Sequence, residues 1–155
     1  MVASKAFVTF ALAAVALAAP SRRQIEEPPP EDRATCTYVM TPNPPVVDDS
    51  TLDNDAEFTF TIGVRLANDS PTQIAWVFDN PLPWVHNEDG SYEVNATTAF
   101  NGLSADEVKA IVTAWPGQIL PGRFVPEWAV GSVVCPDSPA EIKINSNAKG
   151  VMFGL

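Results

Sequence analysis

The chain has 155 residues, with nine Lys and Arg against 19 Asp and Glu, a formal net charge of −10. A surface of that sign repels phosphate backbones and anionic lipid, so nucleic acid and bare membrane are poor partners. A single histidine and two cysteines also leave too few nitrogen and sulfur ligands for a zinc site.

Lys5 opens the chain with a positive charge, Ala6 to Ala19 is almost wholly apolar, and Ala16-Leu17-Ala18 offers small residues before Pro20. These are the marks of a secretory signal peptide over residues 1–19, and the apolar run is shorter than the ~20 residues a membrane span requires. Arg22-Arg23 closes a short pro-segment, 20–23, so the mature chain is expected to start at Gln24. A leader followed by a basic pair resembles the maturation pattern of fungal secreted proteins. Maturation removes Lys5, Arg22 and Arg23 and no carboxylate, leaving six basic residues against 19 acidic ones and a formal charge of −13. Residues 24–33 form an acidic tail around Pro28-Pro29-Pro30, expected to be disordered and extended, with Arg33 as a second trimming point. Residues 34–155 are the size of one domain.

Within that domain Thr37 to Met40 is a candidate strand. Asp48, Asp49, Asp53, Asp55 and Glu57 read as a solvated loop; the spacing begins like a calcium loop but Phe58 stands where a glycine is required. From Glu57 to Leu66 the residues Phe58, Phe60, Ile62, Val64 and Leu66 alternate with more polar ones, which predicts a strand. Gln73 to Asp79 follows after the turn residues 67–72, predicting an antiparallel hairpin. Tyr92 and Val94 mark a shorter strand. Ser104 and Glu107 make a capping box, and Val108, Ile111, Val112 and Trp115 form one apolar stripe, predicting an amphipathic helix over about 104–115. Trp128 to Cys135, Glu141 to Ile144 and Val151 to Phe153 complete the strands. The fold class expected is mainly β: a single-domain antiparallel β-sandwich or barrel-like fold with one α-helix. The end Gly154-Leu155 lacks the apolar tail of a lipid-anchor signal, so no membrane anchor is expected.

Cys36 and Cys135 are an even pair in an oxidising compartment and read as one disulfide. Closing a loop of about 100 residues contributes roughly 4.7 kcal/mol in the chain-entropy account. Asn95-Ala96-Thr97 and Asn68-Asp69-Ser70 satisfy the N-glycosylation rule, with Pro71 lowering occupancy at Asn68.

The one histidine, His86, reads as a surface loop residue, and no nucleophile elbow or aspartic-protease loop is present. No catalytic residue, metal or cofactor is assigned. Trp76 and Trp115 belong to apolar faces, whereas Trp84 and Trp128 follow prolines in less regular sequence. The segment Pro81, Leu82, Pro83, Trp84, Val85, His86 is the candidate recognition loop, a tryptophan on a backbone stiffened by two prolines. The function expected is a small secreted acidic glycoprotein that binds an extracellular protein or glycan as an effector, inhibitor or accessory subunit. The alternatives are a hydrolase of cell-wall polysaccharide using two carboxylates and a structural wall component.

Overall fold

The computed structural model describes residues 25–45, 52–136 and 151–154. The leader, the basic pair, Asp48, Asp49 and the strand expected at Glu141 to Ile144 lie outside these residues. The elements run β1 (Ala34–Asn43), α1 (Asn54–Asp69), β2 (Ile74–Val77), β3 (Trp84–His86), β4 (Tyr92–Phe100), α2 (Ala105–Val112), β5 (Ile119–Pro121), β6 (Glu127–Val134) and β7 (Val151–Gly154). All seven strands belong to one antiparallel sheet in the order β5-β6-β1-β4-β2-β7, with β3 also paired to β4. The sheet curls into a half-barrel, so the mainly β, barrel-like expectation holds.

Alternation along β1 turns Ala34, Cys36, Tyr38 and Met40 inward. Tyr92, Val94 and Ala96 of β4 and Trp128, Val130 and Val133 of β6 join them in one core, covered by Phe58, Ile62 and Leu66 of α1 and by Val108 and Val112 of α2. Burial of the Tyr38 hydroxyl pushes its pKa above the ordinary tyrosine range, which keeps it neutral. The β1–β6 register sets Thr37 opposite Val134, which brings Cys36 and Cys135 together with Cα atoms 4.2 Å apart. The expected disulfide is present.

The segment Glu57 to Leu66 is a helix and not a strand. At helical spacing Phe58, Ile62 and Leu66 form one buried row, with Glu57, Thr61 and Gly63 buried beside them. Phe60 and Val64, which completed the apparent alternation, fall on the partly exposed side. Asp53 caps the helix by accepting the Ala56 N–H at 3.0 Å, and Asp55 and Glu57 put negative charge in its first turn. The acidic stretch is therefore a helix start, and residues 67–72 join a helix to β2 instead of closing a hairpin. Among the described residues there are two α-helices where one was expected.

The helix expected over about 104–115 ends at Val112, and Trp115 lies in the turn that follows, fully buried. Its indole N–H donates to Asp69 at 2.8 Å, and Arg65 pairs with the same carboxylate at 2.9 Å, tying the two helix ends together. Glu107 closes the capping box, accepting from the Ser104 N–H at 2.9 Å and hydroxyl at 2.7 Å.

The described tail, residues 25–33, makes several contacts with the fold. Pro28 is buried and Pro30–Asp32 forms a 3-10 turn. Arg33 reaches back to the Pro28 carbonyl at 2.8 Å and to Glu27 at 2.9 Å, with its guanidinium 4.0 Å above the Phe78 ring. Phe78 belongs to a small second cluster with Trp76 and Ala99. A single cation that finds two acceptors and a ring face offsets the ordering entropy of a segment whose composition alone predicts disorder.

Candidate functional site

The candidate recognition loop, residues 81–86, ends in the strand β3. β3 pairs with β4 in the register Trp84↔Val94, Val85↔Glu93 and His86↔Tyr92, and the Asn95 N–H donates to the Pro83 carbonyl at 2.8 Å. The turn beyond β3 is fixed by Asp89, whose carboxylate accepts the Ser91 hydroxyl at 2.7 Å and its N–H at 3.0 Å. These bonds hold the Asp89 carboxyl below its usual pKa.

Pro81, Pro83, Val85 and His86 are exposed, whereas Leu82 is buried. Trp84 is half-buried; its indole N–H donates to Asp55 at 3.0 Å and its ring packs against Phe58 and Tyr92 at centroid distances of 6.1 and 6.0 Å. It is a wall of the fold as much as an exposed anchor. His86 stacks flat on Tyr92, with centroids 4.3 Å apart. Trp128, which also follows a proline, is fully buried in the core.

Asp55 connects this strand to a cleft of about 560 Å³. One wall is the first half of α1, with Asp53, Asp55, Thr59 and Phe60. Asn80, Pro81, Arg123, and Val151 and Phe153 of β7 complete the lining of the cleft. The Phe153 ring packs on Gly63, where even one added carbon would collide with it. Carboxylate, amide and hydroxyl groups beside two phenyl rings suit a ligand with both polar and apolar surface.

Sequence reasoning passed over the group that positions Arg123. Glu57 is 0% exposed, although its place in an alternating run put it on an outer, polar face. Its carboxylate accepts the backbone N–H groups of Arg123 (3.0 Å), Phe124 (2.6 Å) and Val125 (3.4 Å) and the Trp128 indole N–H (2.7 Å). A buried charge is tolerable only when so satisfied. Gly122 is required there, because a Cβ would strike Val125 O and Glu57 Oε1. The β5–β6 connection is thus held from inside by a carboxylate, while Arg123 is exposed and Phe124 is 50% exposed at its tip. The only sequence signal was the run Pro121-Gly122-Arg123 followed by Phe124-Val125-Pro126, a glycine between prolines.

Asn95 lies on the outer side of β4, its side-chain oxygen accepting the Thr37 hydroxyl at 2.6 Å, and Thr97 is bonded to Thr35 at 2.9 Å. Asn68 is exposed on the last turn of α1, not in a hairpin turn. Among the described residues no three His, Cys, Asp or Glu side chains gather to hold a metal ion, and no helix is long and apolar enough to cross a membrane. No protein-family model, no curated protein and no solved structure matches this chain.

Proposed function

We propose that this chain is a small secreted acidic glycoprotein, of the fungal maturation type, that acts by binding an extracellular protein or glycan as an effector, inhibitor or accessory subunit. The observation that carries the reading is the cleft between α1, Asn80–Pro81 and Arg123, which the exposed Pro81 of the candidate recognition loop lines. Its rim is preorganised: β3 is paired to β4, Trp84 is bonded to Asp55, and Arg123 sits on a carboxylate-clamped turn. Little ordering entropy remains to be lost on association.

Secretion is consistent with the Cys36–Cys135 bond, which persists in oxidising compartments. Glycosylation is assigned to Asn95 and Asn68; the contact from Thr37 engages the Asn95 carbonyl oxygen and not the nitrogen to which a glycan is joined.

The test is capture from culture fluid and from wall-polysaccharide fractions by the mature protein and by Asn80→Arg, which fills the cleft mouth from an exposed position. A stoichiometric partner retained by the parent and lost by the variant, at equal melting temperature, supports binding here. Equal capture by both proteins overturns the site. Turnover of a polysaccharide abolished by Asp53→Asn or Asp55→Asn replaces the reading with the hydrolase.

A further inference from the structure

Of the four cations among the described residues, three are committed within the chain: Arg33 to Glu27, Arg65 to Asp69 and Lys109 to Asp106. Arg123 makes no ion pair among them. It is exposed, and its guanidinium lies 5.0 Å from the ring of its half-exposed neighbour Phe124.

The backbone beneath this pair is fixed to an unusual degree. Three consecutive N–H groups, those of Arg123, Phe124 and Val125, converge on one buried carboxylate, and the Gly122 N–H closes the turn on the Pro126 carbonyl at 3.2 Å. The cost of burying Glu57 is offset only by holding this loop in one shape. An Arg and an aromatic ring on a rigid turn are the residue types that dominate protein–protein binding energy.

Charge selects the partner. A guanidinium gives up hydration on binding and needs an anion in return, bidentate where geometry allows. A polyanion is disfavoured, because the mature chain carries −13 and because Asp53 and Asp55 line the same cleft as Arg123. An isolated carboxylate bordered by apolar side chains meets far less of this repulsion than a polyanion does, and the apolar border covers Phe124. We infer that the Arg123–Phe124 tip is the anchor by which this protein engages a protein partner, through a single Asp or Glu side chain of that partner flanked by apolar residues. This inference rests on the binding reading above and names the chemistry of its partner.

The test pans a phage-displayed library of random peptides on the disulfide-bonded mature protein. Enriched peptides are synthesised and titrated against the parent, Arg123→Ala, Arg123→Lys, Phe124→Ala and, as a control, Lys109→Ala. The expected peptides carry an Asp or Glu within two positions of a Leu, Ile, Phe or Trp. Arg123→Ala and Phe124→Ala weaken binding at least tenfold, Arg123→Lys weakens it less, and Lys109→Ala leaves it unchanged. Melting temperatures identify any variant that fails to fold, and for such a variant replacing the peptide's own acid by its amide supplies the same comparison. No enrichment, enrichment without an acid, or affinity indifferent to Arg123 overturns the inference. So does binding of an oligosaccharide that Arg123→Ala abolishes, since the anchor then serves a glycan. Capture lost in Asn80→Arg but retained in Arg123→Ala defeats the anchor and leaves the binding reading standing; capture retained in both defeats the reading.

Discussion

Replacing Glu57 by Gln tests the interior of the fold at its most heavily bonded atom pair. The substitution preserves shape and removes one acceptor together with the charge. Phe124 donates to one carboxylate oxygen, Val125 and the Trp128 indole donate to the other, and the Arg123 N–H is shared between the two at 3.0 and 3.1 Å. Whichever way the amide is turned, its NH2 faces at least one N–H that has nowhere else to go. One buried unsatisfied donor costs about 1–3 kcal/mol, and the remaining bonds lose charge assistance, where each was worth about 1.5–3 kcal/mol. The expected loss is about 3–4 kcal/mol, a large share of the ~5–15 kcal/mol typical of a domain. Urea denaturation followed by tryptophan fluorescence reads it directly, because Trp128 reports on the site. The midpoint should fall with the slope unchanged. Amide exchange at residues 123–125 should accelerate ahead of the rest of the sheet. A stability change under about 0.5 kcal/mol would refute the claim that this carboxylate holds the loop.

Gly122→Ala drives a Cβ into Val125 O and Glu57 Oε1, so it should cost more than 2 kcal/mol by the same urea assay. Ser104→Ala should cost about 0.5–2 kcal/mol through the lost cap, and Trp115→Ala about 3–5 kcal/mol because it empties a core site; a negligible shift in the first would contradict the cap of α2, and one in the second the burial of Trp115. The Glu107 carboxyl is held below its usual pKa by the backbone and hydroxyl of Ser104. Its contribution is therefore complete above the ordinary glutamate value and disappears as pH falls through the lower folded value. Glu107→Gln should flatten that part of the acid limb of the stability profile, and an unchanged limb would show that the box contributes nothing.

Features set by local chemistry were legible in the sequence. The capping box of α2 follows from the spacing of Ser104 and Glu107, a strand was expected at Thr37 to Met40, and the two cysteines pair as an even count in an oxidising compartment; each is found in the fold. Segment 57–66 was not, because its β-branched and aromatic residues satisfy a period of two as well as a buried helix row. What decides between them is tertiary: the curled sheet leaves a hollow that a helix fills, and Phe58, Ile62 and Leu66 reach it together only at helical spacing. Asp53 with Asp55 and Glu57 was a helix-start signal, read instead as a solvated loop. Trp128 was read at the start of a strand, where the structure has it, but its burial was not legible for a related reason. A tryptophan two residues after a proline reads as irregular surface, and the carboxylate that gives its indole a buried partner lies 71 positions away. The cleft was invisible, since its walls come from α1, the Asn80–Pro81 turn, the β5–β6 loop and β7.

The central claim is that an extracellular partner engages the cleft face. It is tested most directly by site-specific photo-crosslinking of the purified protein added to culture or host fluid. A photoreactive phenylalanine analogue is placed at Asn80 on the cleft mouth, at Phe124 on the loop tip, and at Ala110 on the exposed side of α2. The account predicts one shared crosslinked species from positions 80 and 124, competed by unlabelled parent protein and absent at 110. Crosslinking that is equal at all three positions, or confined to 110, would contradict it.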